Sequence, residues 1–343
     1  MPARSDPAPE VRAVPPGAAV VALAFAPQGD LLAAAGRDGA VRIWDPREGQ
    51  HLRALRDGAA APYALAFAPD GVRLAASYND QTIRIWNIEK GAVVRRIAGQ
   101  LTQSLVFLAE ADRLAIDTSA AGAAFLIMSA GTGTALDKVE RVYENLLERT
   151  FGRPPFPPGN ICGITALAAA STGNHLAGSD LCGRVAVYDA RTLEFRWAVQ
   201  RPYSYPAFIP APRAPRTELS FSADGSLLAG GAGNAVVVWN ASSGKERRRF
   251  QGHRSAVRAV AFAPGEQPFL ASASEESLKL WNPLSRLLYW EIPLEGRLNQ
   301  PHLAFSPDGE TVAVSYGGQI MLVNVHSGEA RFLALPRDQL TRP

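Results

Sequence analysis

Along short stretches of this chain apolar and polar residues alternate with a period of two, and tight-turn residues interrupt them at near-regular intervals. VALAFAP (21–27) leads through Gln28-Gly29 to LLAAAG (31–36), and Asp38-Gly39 then leads to VRIWD (41–45). This pattern predicts short strands joined by hairpin turns. Asp70-Gly71, Asp224-Gly225 and Asp308-Gly309 supply the geometry such turns need, because glycine reaches positive φ at little cost.

The same order recurs in YALAFAPDGVRLAASYNDQTIRIWNIEKG (63–91), AVAFAPGEQPFLASASEESLKLWNPLS (259–285) and HLAFSPDGETVAVSYGGQIMLVNVHSG (302–328). Each unit has an alternating strand ending near Phe, a turn, a small-residue strand, a second turn, and a strand closing on Trp-Asp or Trp-Asn, or on Val323-Asn324 in the last. The position of that Trp falls at Trp44, Trp86, Met128, Tyr188, Trp239, Trp281 and Val323, in steps of 42, 42, 60, 51, 42 and 42 residues. Four equal steps exclude accident, and the two long ones mark insertions of 18 and 9 residues.

Seven such units resemble the WD-repeat family, over about 11–335. The resemblance implies an all-β, seven-bladed β-propeller with four-stranded antiparallel blades. A lone blade cannot bury both faces, so neighbours must stack and the ring must close. Phe25, Phe67, Phe107, Phe221, Phe262 and Phe305 are then expected between blades, opposite small residues such as those of AAAG (33–36). For closure, VRAVPPGAA (11–19) resembles LRALRDGAA (52–60) and is predicted to be the last blade's outer strand, with ARFLAL (330–335) as the alternative. Residues 1–10 and 336–343 read as tails.

In such repeats a Gly-His pair commonly bonds an acid in the later turn. Here Gly252-His253 is the surviving pair, with Glu275 at the acid's position and Trp281 completing the network. Asp38 and Asp80 hold the turn position in the first two copies without a matching His. The longer insertion, about 136–160, contains LDKVERVYENLLERTFG (136–152) at helical spacing, followed by RPPFPPGN (153–160). A short helical insertion between blades 3 and 4 is therefore expected. Its first residues serve equally as the third blade's outer strand, with helix from about Glu140. The second, about 200–217, is a Pro-rich loop. Both lie between one blade's outer strand and the next blade's inner strand, connections that share one face in this family. The candidate partner-binding residues are Tyr63, Tyr143, Phe151, Arg153, Phe156, Tyr203, Tyr205, Phe208 and Arg254, aromatics and arginines of the kind interfaces use. The alternative is that the insertions only cap the channel.

Composition narrows the function. The 343 residues are 47% hydrophobic with a net charge of +3, too balanced to imply nucleic-acid binding. KERRRF (245–250) and VVRRI (93–97) read as solvated rim, and LLYWEI (287–292) as either an exposed aromatic patch or packing between blades. Cys162 and Cys182 read as free thiols in a reducing compartment, without the further soft ligands a metal site needs. No spacing supports a catalytic triad, a carboxylate pair or a phosphate-binding loop, and no cofactor is expected. The apolar run 18–26 falls in register with the repeats and reads as strand rather than export signal. The reading is a non-enzymatic scaffold or sensor subunit in a larger complex, cytoplasmic, with protein partners and no membrane. Rich use of Ala, Arg and Pro suggests a bacterial source. A propeller enzyme with a site at the channel mouth and a nucleic-acid adaptor are the alternatives.

Overall fold

Each sheet is built from four strands consecutive in sequence. In blade 1 these are β1 (Val20–Phe25), β2 (Leu32–Gly36), β3 (Val41–Asp45) and β4 (Gln50–Leu55), all antiparallel and in chain order. The computed structural model describes residues 19–99, 102–110, 112–117, 123–140, 164–180, 183–200, 218–265, 269–294, 301–316 and 318–333. Among them β1–β28 form seven such sheets, the other blades spanning 62–98, 105–140, 164–200, 219–250, 259–293 and 303–333. No helix occurs among the described residues. The predicted helical insertion falls on 141–163, outside them, while 136–140 belong to β12 (Ala135–Glu140), the outer strand of blade 3.

Period-two alternation is what joins the blades. In blade 1, Ala33, Ala35, Val41 and Ile43 face blade 2, whereas Leu32, Ala34 and Trp44 face blade 7. The buried apolar residues accordingly divide into seven clusters, each shared by two neighbouring blades. All seven Trp-equivalent residues are buried and pack against the preceding blade. Phe107, Phe262 and Phe305 are buried within these clusters, and Phe25, Phe67 and Phe221 pack half-buried against them.

Ring closure corrects the expectation drawn from residues 11–19. The outer place of blade 7 is taken by β28 (Ala330–Leu333), paired to β27 (Gln319–Asn324) from Ile320↔Leu333 to Val323↔Ala330. Leu333 reaches the blade 7–blade 1 cluster, and the Arg331 guanidinium donates to the carbonyls of Pro46 and Arg47. The ring is thus closed by side-chain packing between two complete blades. A cavity of 20 Å³ beside Trp44 and Leu333 lies in this seam.

A second device ties the blades at the rim. Arg53 donates to Ile88 O and Glu89 O at 2.9 Å, Arg95 to Gly131 O at 2.8 Å, Trp197 to Ala241 O at 2.6 Å and Trp290 to Val325 O at 2.8 Å. Arg248 reaches Leu284 O at 3.5 Å. In every case an outer strand bonds the turn before the next blade's outer strand. The donor comes nine residues after the Trp position, except in blade 7, where it comes eight after. The reason is a β-bulge just before the Trp position in six blades, which blade 7 lacks. At the blade 3–4 junction the same position holds Asp137, which has no donor to offer. Asp137→Arg should therefore stabilise the fold by about 1 kcal/mol in urea unfolding. An unchanged or lower midpoint would show that these bonds contribute nothing.

Candidate functional site

With four strands per blade, an even number, every outer strand ends on the face where its inner strand began. Connections between blades therefore share that face. Those after blades 1, 2, 5 and 6 run for 6 to 9 residues, but β12 to β13 (Ile164–Ala169) takes 23 and β16 (Phe195–Gln200) to β17 (Leu219–Phe221) takes 18. Both long connections flank blade 4. The candidates Tyr143, Phe151, Arg153, Phe156, Tyr203, Tyr205 and Phe208 lie on them, outside the described residues, as does Cys162; Cys182 lies outside as well. Tyr63, half-buried on blade 2, and Arg254, exposed on blade 6, share the face but stand on blades that are not neighbours. The structure does not bring these two together.

What the described part of this face does hold is a set of closed ion pairs. Asp38 bonds Arg42 at 2.6 Å and Arg56 at 2.8 Å. Asp57 forms ion pairs with Arg84 at 3.1 Å and with Arg96 at 2.6 Å, and Asp80 also pairs with Arg84. The Arg84 guanidinium sits 3.9 Å over the Tyr78 ring. Burial pushes the Asp38 carboxyl up, but the hydrogen bond and charge of Arg42 outweigh it and hold it below its ordinary range. Arg42, Arg84 and Lys279 are only 4–6% exposed, and each stands two residues before a Trp, in VRIW, IRIW and LKLW. That recurrence is legible in the chain and was the missed signal: a cation set among apolar strand residues implies a buried partner. The aspartates of blades 1 and 2 that lack a histidine are thus matched by arginines from the adjoining strand.

Blade 6 keeps the histidine, with different partners from those expected. His253 Nε2 lies 2.7 Å from Ser272 Oγ, and its Nδ1 lies 3.0 Å from Ser274 Oγ and 3.2 Å from Ser277 Oγ. Trp281 Nε1 donates to Ser272 Oγ at 2.8 Å. Glu275 is not part of this network. Its carboxylate is 41% exposed and takes the Arg258 guanidinium at 2.9 Å, because the short serine hydroxyls already fill the space around the ring. Burial first, and the Lys279 charge second, lower the His253 pKa to about 4, with Glu291 opposing. The folded state then refuses a proton that the unfolded chain accepts. Stability from this group is full above the ordinary value of 6.5 and falls as pH drops toward 4, by about 3 kcal/mol. Urea unfolding at pH 7 and pH 4 should show this loss, and His253→Gln should remove it; an identical loss in the variant would assign it elsewhere.

Between blades 5 and 7, Glu218 Oε1 meets His302 Nδ1 at 2.7 Å beside the inner strands. On the opposite face the channel opens as a 480 Å³ cavity lined by Phe25, Phe221, Phe305, Pro27 and Pro307. The Ser171 hydroxyl at its edge donates to Ala223 O at 3.0 Å. Among the described residues no group of three or more His, Cys, Asp or Glu side chains is placed to hold a metal. Among the described residues there is no helix long and apolar enough to cross a membrane.

Comparison with known proteins agrees with this geometry. A family model described as WD domain, G-beta repeat matches residues 12–45, 49–87 and 244–282, the repeats that end on Trp44, Trp86 and Trp281. Topless-related protein 1 of Arabidopsis thaliana is 29% identical over 124 residues, 34% of this chain and 11% of that protein. Eukaryotic translation initiation factor 3 subunit I of Coccidioides immitis is 26% identical over 121 residues, 33% of this chain and 34% of that one. Pre-mRNA-processing factor 19 homolog 2 of Arabidopsis thaliana is 30% identical over 100 residues, 29% of this chain and 18% of the relative. The matched stretches thus cover from a tenth to a third of these relatives, all eukaryotic.

Proposed function

We propose that this chain, a member of the WD-repeat β-propeller family, is a non-enzymatic scaffold that binds a protein partner on the face carrying its two long connections. The observation that carries the reading is parity. Four-stranded blades begin and end every connection on one face, and the connections of 23 and 18 residues are anchored there on either side of blade 4. Loops this long on a rigid ring are where recognition is usually built. Support also comes from relatives, one of which is by its name a subunit of a larger factor. Many acids and bases on the described part of the face are engaged with each other, as in Asp57 with Arg84 and Arg258 with Glu275. Such a mosaic favours orienting a protein partner over drawing in a polyanion.

In this reading Tyr143, Phe151, Arg153, Phe156, Tyr203, Tyr205 and Phe208 supply the contacts of one sector, and Tyr63 and Arg254 extend the surface. Replacing 141–160 and 202–216 by short Gly-Ser linkers tests it. Quantitative affinity purification from the native cell should lose the partner with both replacements while the melting transition persists. Recovery of the same partner in the same amount would overturn the proposal.

A further inference from the structure

Every outer strand of a propeller is a free sheet edge, and unpaired edges are commonly guarded by charged side chains, lysine above all. Six of the seven outer strands here carry Arg or Lys: Arg53, Arg95, Lys138, Arg196, Arg247 and Arg331 stand on them. The exception is β24 (Leu288–Pro293, LYWEIP), the outer strand of blade 6. Its single charge, Glu291, is spent on the buried Lys279 at 2.6 Å.

The same place gathers exposed apolar surface. Of the seven large hydrophobic side chains exposed among the described residues, Leu52, Val94 and Leu136 stand singly on blades 1, 2 and 3. The other four are Leu284, Leu287, Leu288 and Tyr289, exposed by 62%, 61%, 42% and 48% within six residues. Tyr289 is held in place, since its ring packs edge-on to Phe269 at 5.2 Å and its hydroxyl accepts from Asn282 Nδ2 at 3.0 Å. Four exposed apolar side chains within six residues at a free edge, one of them fixed, are the usual mark of a binding surface.

Charge around the patch says what kind of partner it fits. Arg248 of the neighbouring blade donates to Leu284 O and to Arg247 O, which brings that strand's arginines alongside. Arg249 is matched by Glu246. Lys245, Arg247, Arg248 and Arg286 face no carboxylate among the described residues. A second copy of the chain would bring the same cations to a two-fold contact and be repelled. We propose that the rim of blade 6 docks an extended acidic segment of a partner protein, which adds to β24 as a fifth strand. Its apolar side chains meet Leu284, Leu287 and Tyr289, and its carboxylates meet the arginines. This surface is separate from the face of the long connections, so the two can be tested independently.

The probe is a fluorescein-labelled decapeptide alternating Val or Leu with Glu or Asp, followed by anisotropy on the full chain. Binding should saturate, weaken as salt rises, and fall about tenfold or more with Leu287→Ser and with Tyr289→Ser, each of which removes an apolar contact without adding charge. Leu287 is 61% exposed, so Leu287→Ser should leave the melting transition in place, whereas the Tyr289 variant also gives up its Phe269 and Asn282 contacts and should lower it slightly. Leu52→Ser, on blade 1, should leave binding unchanged. Equal binding of a peptide with Lys in place of every acid would overturn the proposal. So would unchanged binding in both blade 6 variants, or adsorption to phosphatidylserine vesicles without peptide binding.

Discussion

Replacing Asp57 and Asp80 together by Ala is expected to destabilise the propeller by about 3–5 kcal/mol, measured by urea unfolding at neutral pH. The reason is the state of Arg84. Its side chain is 4% exposed, and these two aspartates are its carboxylate partners, so their loss leaves a charge in a site that water does not reach. Tyr78 below it offers a ring face, which offsets only part of that cost. Adding Arg84→Met to the double variant should recover most of the loss, since a packed apolar side chain often replaces a buried ion pair without penalty. If the triple variant is no more stable than the double, the cost lies in the turns rather than in the stranded cation. For contrast, breaking the Arg249–Glu246 pair on the exposed rim should cost less than about 1 kcal/mol.

The second large effect is expected at the seam. Trp44→Ala should cost about 3–5 kcal/mol, as large-to-small changes in a packed core do. Trp44 is 1% exposed and shares a buried cluster with Leu322 and Leu333 of blade 7 and with Leu32 of its own blade. His51 stands edge-on to it at 4.9 Å. Among the described residues no strand of one chain end pairs with the blade of the other, so this packing and the Arg331 bonds join blades 7 and 1. Unfolding should remain one cooperative transition at lower denaturant. A variant that instead loses blade 1 in a separate early step would show that the seam is not coupled to the rest of the ring.

The sequence made the ring legible because the Trp position obeys a strict step and must be buried. Met128, Tyr188 and Val323 occupy it as surely as the tryptophans do, although none would be recognised alone. The turn glycines were readable for the same kind of reason, Gly71, Gly225 and Gly309 all adopting φ near +70°. Closure was not legible. VRAVPPGAA and ARFLAL are both alternating and apolar, and only the register with β27 distinguishes them. The candidate site was legible as a pair of insertions at one kind of junction but not as an arrangement of side chains. Glu275 held the right place in the repeat, yet three serines solved the histidine's hydrogen bonding first. The rim arginines looked like solvated charge because alternation predicts only which way a side chain leaves the strand. It does not reveal that the carbonyls of the next blade lie within reach of Arg95 and Arg248.

Two truncations test the central claim, that each of the seven blades is complete in four consecutive strands and the ring shuts on β28. Thermal melting of a chain lacking 2–18 should match that of the full chain, whereas a chain lacking 329–343 should lose its cooperative transition. The reverse pattern, collapse on removing 2–18 with 329–343 dispensable, would contradict the account.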